Sequence, residues 1–179
     1  MGYNVIYTRE PGGIDLAEQI RNVILDPRNV AMDPKTEALL YAASRRQHFV
    51  EKIKPALEAG QIVICDRFVE SSLAYQGCGR RIGIDEVYRL NEFAIEGWLP
   101  DVTLFLDIKP EVGLERIETR AFKDRLDQET QAFHTRVYEG YQEVLRRYSY
   151  RMTVIDAARP VEEVKEEALK LVLEKVKND

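Results

Sequence analysis

The sequence has few of the residues that build cross-linked or zinc-clustered proteins. Among its 179 residues there are two cysteines, Cys65 and Cys78, and two histidines, His48 and His134. Neither the number nor the spacing of the cysteines matches a disulfide framework or a zinc site. Scarce cysteine is usual in reducing compartments, so we expect a cytoplasmic protein in which Cys65 is a small core residue.

Long apolar runs and an excess of positive charge are also missing. No stretch approaches the ~20 apolar residues that cross a bilayer, and the first residues lack the charged-then-apolar pattern of a signal peptide. The net charge of −5 argues against broad nucleic-acid binding but allows a local basic site. With 45% hydrophobic and 32% charged residues, residues 1–179 are expected to form one domain with a hydrophobic core.

Short apolar segments predict strands, and apolar residues at helical spacing predict helices between them. The predicted strands are Asn4–Thr8, Ile62–Cys65, Val102–Leu106 and Met152–Ile155. Strands that alternate with helices indicate an α/β fold with a parallel sheet. The continuous apolar run from Ile62 is typical of a strand buried on both faces. One helix is expected to begin at Asp33-Pro34 and to continue to about Ala59, with a break at Pro55.

Charged side chains follow these strands. Arg9-Glu10 ends the first, Asp66-Arg67 the second, and Asp107 and Asp156 the last two. Because ligands of open α/β sheets bind at the carboxyl ends of the strands, this edge is the expected site. Arginines from several segments suit a small anionic ligand with bidentate phosphate contacts; they are Arg9, Arg45, Arg67, Arg116, Arg120 and Arg125.

Structural explanations remain open for each feature taken alone. Asp66-Arg67 could be an ion pair at a strand end, since perturbed charge pairs are also structural. Tyr41 and Arg45, one helical turn apart, could be a buried tyrosine beside a solvated arginine. The arginines of 116–125 could form a solvated face, and Pro11-Gly12-Gly13 a plain turn.

Taken together and in order, the motifs resemble those of bacterial thymidylate kinases across nearly the whole chain. The matching segments are Thr8-Arg9-Glu10-Pro11-Gly12-Gly13, Glu37 to Arg45, Asp66-Arg67-Phe68, Ser71 to Gly77, Leu90-Asn91, Pro100-Asp101, Leu106-Asp107 and Asp124-Arg125. The resemblance implies a P-loop nucleoside monophosphate kinase-like three-layer α/β fold. It also implies transfer of the ATP γ-phosphate to thymidine monophosphate (dTMP), with Mg²⁺, for dTTP biosynthesis.

The resemblance assigns roles residue by residue. It implies a catalytic set around the acceptor phosphate and Mg²⁺, with Glu10 and Asp66 reaching the metal through water: Arg9, Glu10, Asp66, Arg67 and Arg120. It implies an acceptor site in which Tyr41 stacks on the base, Arg45 reaches the base and phosphate, and Tyr141 guards against ribonucleotides: Tyr41, Arg45, Ser72, Tyr75, Gln76 and Tyr141. A lid at about 116–128 would contact donor phosphates through Arg116, Arg120 and Arg125. Phosphoryl transfer of this kind needs no histidine base, so both histidines are expected to be ordinary helix residues.

One part of the family pattern has no match in these residues. The family begins with a strand, a Gly-x-x-x-x-Gly-Lys-Ser/Thr loop that cradles phosphates, and a helix. Without that central strand, a gap should separate the strands at Asn4 and Ile62 from those at Val102 and Met152. We therefore expect an N-terminally incomplete kinase that binds ATP weakly and turns over poorly.

Other functions stay open at this point. The chain could be a non-catalytic nucleotide-binding or dimer-partner protein that has lost the donor loop. It could also be a kinase for another nucleoside monophosphate, although the Tyr41–Arg45 pair and Tyr141 argue against this. The resemblance further implies a homodimer formed through helices near Lys35–Ala59 and after Ser71.

Overall fold

The computed structural model describes residues 2–113 and 123–178. Strands and helices alternate along them, as predicted. In chain order they are β1 (Val5–Arg9), α1 (Asp15–Leu25), α2 (Pro34–His48), a π-helical stretch (Phe49–Ile53), α3 (Lys54–Glu58), β2 (Ile62–Asp66), α4 (Val69–Ser72), a second π-helical stretch (Leu73–Gly79), α5 (Ile84–Ile95), β3 (Thr103–Asp107), α6 (Gln131–Arg147), β4 (Met152–Asp156) and α7 (Val161–Asn178). None of the described helices is long and apolar enough to cross a bilayer.

The strands form two separate parallel pairs. β1 pairs with β2 from Val5↔Ile62 to Arg9↔Asp66, and β3 pairs with β4. Within the described residues no strand pairing joins the two sheets, which confirms the predicted gap. The expectation that β2 is buried on both faces is wrong. Ile64 and its neighbour in register, Tyr7, are 44% and 66% exposed, so this face of the small sheet is open.

Local signals set the ends of the helices. The Asp33 carboxylate accepts hydrogen bonds from the backbone N–H groups of Lys35 and Thr36 at 2.9 and 3.0 Å, which confirms the predicted N-cap. The expected break at Pro55 is instead a π-helical stretch just before it. There the Lys54 N–H donates to the carbonyl of Phe49, and the helix continues past Pro55 as α3.

One hydrophobic cluster connects the two sheets. It joins residues after β2 to α5, α6 and β4, with Phe105 of β3 packed against it. Its buried members are Val69, Leu73, Ile84, Val87, Ile95, Val144 and Met152. Because no strand bridges the sheets in the described residues, this helical layer is what fixes β3–β4 relative to the end of β2.

Truncating this cluster should destabilise the fold strongly. Leu73 is fully buried, so Leu73→Ala is expected to cost about 2–5 kcal/mol of unfolding free energy through lost transfer energy and a cavity. Leu169 of α7, which is 53% exposed, is the matched control, and Leu169→Ala should cost no more than about 0.5 kcal/mol. Urea denaturation measures both. Equal losses at the two leucines would contradict the assignment of this cluster as the core.

Candidate active site

The loops that follow β1 and β2 lie side by side. Arg9 and Asp66 are partners in the strand register, and the Glu10 backbone N–H donates to the Asp66 carbonyl at 3.0 Å. The predicted sets Arg9-Glu10 and Asp66-Arg67 therefore lie together at the carboxyl ends of β1 and β2, as parallel topology requires.

Arg45 of α2 donates a network of hydrogen bonds next to the carboxyl ends of β1 and β2. Its Nε donates to Glu10 Oε2 at 2.6 Å, and the two side chains are 3% and 2% exposed. Nη1 donates to Ser72 Oγ at 3.0 Å and to Asn91 Oδ1, and Nη2 donates to the Phe68 carbonyl at 3.1 Å. Four of the five guanidinium N–H groups are thus occupied, leaving one on Nη2 without a partner among the described residues.

The second oxygen of Glu10 binds a histidine. His48 is fully buried, with Nδ1 3.0 Å from Glu10 Oε1 and Nε2 2.7 Å from Thr8 Oγ1. The expectation that His48 is an ordinary helix residue is therefore wrong. A signal was present in the sequence, because Arg45 and His48 are three residues apart and share one face of α2.

Arg67 stands at the surface between two tyrosines. Its guanidinium lies 5.5 Å from the ring centre of Tyr75, and Nη1 is 3.4 Å from the Tyr141 hydroxyl, which also bonds Ser71 Oγ at 2.9 Å. The backbone of Arg67 has φ +66°, a conformation that non-glycine residues seldom adopt and that clusters at functional sites. Burial raises the pKa of Tyr141, so its hydroxyl stays protonated and available for these bonds.

Tyr41 lies within electrostatic range of Glu37, Arg67 and Tyr75. Burial and the nearby Glu37 carboxylate raise its pKa, while Arg67 acts in the opposite direction. It is therefore a neutral aromatic ring at neutral pH. The structure brings Tyr41, Arg67, Tyr75 and Tyr141 together as predicted.

Glu37 organises a second buried ionic cluster. Its carboxylate accepts from Gln76 Nε2 at 2.8 Å, from Arg80 Nε at 3.0 Å and from Arg125 Nη2 at 2.6 Å. Since a carboxylate only accepts, the Gln76 amide must turn its nitrogen to Glu37 and its oxygen away. The structure does not meet the expectation that Arg125 extends from a basic loop to donor phosphates. Arg125 is 6% exposed and held by Glu37 and by the carbonyl of Ile24.

The turn after β1 is closed by Glu18 of α1. Its Oε1 accepts from the Gly13 N–H at 2.8 Å and from Arg9 Nη2 at 2.9 Å. Gly12 has φ +118°, a backbone conformation that favours glycine, and a Cβ there would also lie 2.3 Å from that oxygen. Arg21, which sequence reasoning missed, donates to the carbonyl of Pro11, and burial and Arg9 lower its pKa. Arg9 and Arg21 place two positive charges at this turn.

Two kinds of cation site can be judged from the residues present. Glu10, His48 and Cys65 offer ligand atoms within 4.8 Å of one another. Both Glu10 oxygens and both His48 nitrogens already have partners, Arg45 sets a positive charge against Glu10, and burial raises the pKa of the Cys65 thiol. These groups do not fit a resident metal. The Asp66 carboxylate is exposed and suits a hydrated Mg²⁺.

Part of the predicted site lies outside the described residues. Arg116 and Arg120 fall between residues 113 and 123, so only the end of the predicted lid, from 123 onward, is described. Their roles stay predictions.

The chain is similar in sequence and in fold to thymidylate kinases. The family model "Thymidylate kinase" matches residues 1–168. The chain is 55% identical over 179 residues to a thymidylate kinase of Bacillus licheniformis, covering 99% of this chain and 81% of that protein. It is 58% identical over 164 residues to one of Clostridium novyi, covering 90% and 80%. The crystal structure of thymidylate kinase from Ehrlichia chaffeensis aligns with a TM-score of 0.74 at 33% identity, covering 95% of this chain and 80% of that one.

The Glu37 cluster should make stability depend on pH. Burial alone raises the pKa of Glu37, but hydrogen bonds from Arg80, Gln76 and Arg125 outweigh it, so the net pKa lies below the usual 4.5. A lowered folded-state pKa adds stability that is complete above the unfolded-state pKa and is lost as pH falls through the folded value. Glu37→Gln should therefore flatten the acid side of the stability profile and cost about 3–5 kcal/mol at pH 7.

Chemical denaturation across pH 2–8 measures this profile. Glu162→Gln is the control, since Glu162 pairs with Lys165 at a side-chain exposure of 77%, and its loss should stay within about 1 kcal/mol. An acid-side profile of Glu37→Gln parallel to that of the wild type would refute the role given to Glu37.

Proposed function

Because this chain belongs to the thymidylate kinase family of phosphotransferases, we propose that it transfers the γ-phosphate of ATP to thymidine monophosphate, giving thymidine diphosphate for dTTP biosynthesis. The proposal rests on one group of side chains near the carboxyl ends of β1 and β2. Arg67, an exposed residue, places its guanidinium between Tyr75 and Tyr141, and Arg45 nearby keeps one N–H that has no partner among the described residues.

Arg67 is the proposed anchor of the acceptor phosphate. Of Arg45 and Arg67, Arg67 is the exposed residue, and a guanidinium binds phosphate through two parallel N–H bonds. Arg9, 40% exposed at the neighbouring turn, supplies a second positive charge. The two charges offset the repulsion that builds up when a second phosphate approaches the first.

The base is recognised by side chains whose orientation is already fixed. Among the described residues Arg45 has one N–H without a partner, and its side chain is 3% exposed, which suits one carbonyl oxygen of the base better than a bidentate phosphate contact. The Gln76 oxygen, turned away from Glu37, suits the N3–H donor of thymine. Ser72 contributes by holding Arg45 through its hydroxyl, and the neutral Tyr41 ring provides the stacking surface.

The two tyrosines beside Arg67 suit the sugar. Tyr75 and Tyr141 meet edge to face, with ring centroids 6.2 Å apart, and Ser71 fixes the Tyr141 hydroxyl. We propose that rings held in this way exclude an added 2′-hydroxyl. This supports the proposed preference for deoxyribonucleotides.

Mg²⁺ is the proposed metal, held through water by Asp66. When bound with ATP, it neutralises charge on the transferring phosphate. The same role for Glu10 is set aside here, because both of its oxygens are engaged at 2% side-chain exposure. Glu10 instead acts through Arg45.

The donor side is the part least supported by these residues. The sequence holds no Gly-x-x-x-x-Gly-Lys-Ser/Thr segment, and β2 and β3 are not joined in the described residues. For these 179 residues alone we therefore propose acceptor binding with weak ATP binding and slow turnover. The same observation favours the second candidate, a non-catalytic nucleotide-binding protein. Arg116 and Arg120 remain the candidates for donor-phosphate contact.

We further propose that the chain forms a homodimer. Arg46 of α2 donates to the Ala94 carbonyl of α5 at 3.2 Å, so the two helices lie side by side. They carry exposed apolar side chains, with Leu39 56% and Phe93 86% exposed, as interaction surfaces do. Sedimentation velocity should give a dimer that Phe93→Asp dissociates. A monomeric wild-type chain at micromolar concentration would contradict the proposal.

Titration calorimetry with thymidine monophosphate tests the acceptor site. The wild-type chain should bind it, and Arg67→Ala should weaken binding about 10–100-fold, since a charge-assisted hydrogen bond contributes about 1.5–3 kcal/mol. Arg89, exposed on α5, is the control, and Arg89→Ala should bind like the wild type. No binding by the wild type, or unchanged binding by Arg67→Ala, would refute the assignment.

A coupled assay with ATP and Mg²⁺ then separates the two candidate functions. Slow but measurable formation of thymidine diphosphate supports a kinase. Tight acceptor binding with no turnover at any ATP concentration supports the non-catalytic binder.

A further inference from the structure

The buried histidine behind the strand edge has no part in the chemistry described above. His48 is fully buried and bonds with both ring nitrogens, to Glu10 Oε1 at 3.0 Å and to Thr8 Oγ1 at 2.7 Å. As the partner of Arg45, Glu10 is a carboxylate, which only accepts. Nδ1 of His48 must therefore carry the hydrogen and donate it to Glu10.

This bond sets the direction of Glu10. With Oε1 held by His48, Oε2 is left for Arg45 Nε at 2.6 Å. Ser72, Asn91 and the Phe68 carbonyl hold the two terminal nitrogens of Arg45, but Nε is held by Glu10 alone among the described residues. Rotation of the Glu10 carboxylate would thus free one edge of the guanidinium plane.

The same histidine lies against the turn after β1. A Cβ at Gly13 would lie 2.7 Å from His48 Nε2 and 2.6 Å from Thr8 Oγ1, so the backbone of the turn rests directly on this pair. Gly13 has φ +87°, which also requires glycine. His48 therefore contacts the turn and the Glu10–Arg45 pair at once.

We propose that His48 is a positioning residue for acceptor-base recognition. It donates from Nδ1 to Glu10 and so fixes the plane of Arg45, whose one remaining N–H is offered to the base. This inference rests on the proposed function, because it assumes that Arg45 contacts the base of a nucleoside monophosphate. It goes beyond that function in giving His48 an effect on the base and none on the phosphate.

Two substitutions of His48 separate its two nitrogens. The amide nitrogen of asparagine stands close to Nδ1 of histidine and can still donate to Glu10. The amide nitrogen of glutamine stands close to Nε2, and this substitution loses the Glu10 bond. Asparagine is one methylene shorter than glutamine, so His48→Asn leaves the larger void in the core, and a loss of affinity confined to His48→Gln cannot be a packing effect.

Calorimetry with two probes gives the readout. For thymidine monophosphate, His48→Asn should bind within about 3-fold of the wild type and His48→Gln at least 10-fold more weakly. For deoxyribose 5-phosphate, which lacks the base, both variants should match the wild type. Thr8→Val removes only the Nε2 partner and should leave thymidine monophosphate affinity within about 3-fold, which gives a second reading if a His48 variant does not fold.

Each other outcome decides the question. Equal weakening by asparagine and glutamine, or a loss by Thr8→Val as large as that of His48→Gln, would reduce His48 to a core-packing residue. Equal loss for the probe with and without the base would mean that the effect is not on base recognition. If the wild type binds deoxyribose 5-phosphate but does not prefer thymidine monophosphate, the proposed function itself fails, and this inference fails with it.

Discussion

The buried ion pair between Glu10 and Arg45 is the interaction on which the rest of the site depends. Removing two opposite charges from water costs several kcal/mol each, and their attraction offsets this only when their remaining polar atoms also have partners. Here those partners are His48, Ser72, Asn91 and the Phe68 carbonyl. The buried ion pair is therefore stable only where the four segments of the chain that supply the charges and their partners come together.

That requirement couples folding to function. Glu10 follows β1, Arg45 and His48 lie on α2, Ser72 follows β2, and Asn91 lies on α5. If any of these elements shifts, a charge is left buried without its partner, which costs about 3–5 kcal/mol. The proposed acceptor side of the site is therefore assembled by the fold itself, before any ligand is present. Arg67, the proposed phosphate anchor, is held at the surface by tyrosine contacts instead.

The two separate strand pairs are likewise held together by contacts between parts of the chain that are far apart in sequence. β1–β2 and β3–β4 are not joined within the described residues, yet Tyr141 of α6 packs on Phe105 of β3 and bonds Ser71 beyond β2. Contacts of the helical layer therefore hold the two strand pairs in their relative positions, a role that a central strand would otherwise share. The residues of the proposed acceptor site keep their mutual positions because they depend on helix packing more than on strand pairing.

Local and long-range features differ in how well the sequence predicted them. Alternating apolar segments placed all four strands to within about one residue, and Asp33-Pro34 predicted its cap, because both depend on near neighbours. Motif residues such as Arg67 and Tyr141 were predicted by resemblance. The partner of His48 is 38 residues away and that of Arg125 is 88 away, and nothing local specifies such pairs. The burial of Arg125 and the exposure of Ile64 were missed for the same reason.

A double-mutant cycle on Glu10 and Arg45, read out as thymidine monophosphate affinity, tests the account most directly. Glu10→Gln, Arg45→Met and the double variant should be strongly non-additive, with a coupling of at least about 1 kcal/mol, because either single change already disrupts the oriented guanidinium. Single effects that add to within about 0.3–0.5 kcal/mol would mean that the two residues act independently, and would contradict a pre-assembled acceptor site built on this pair.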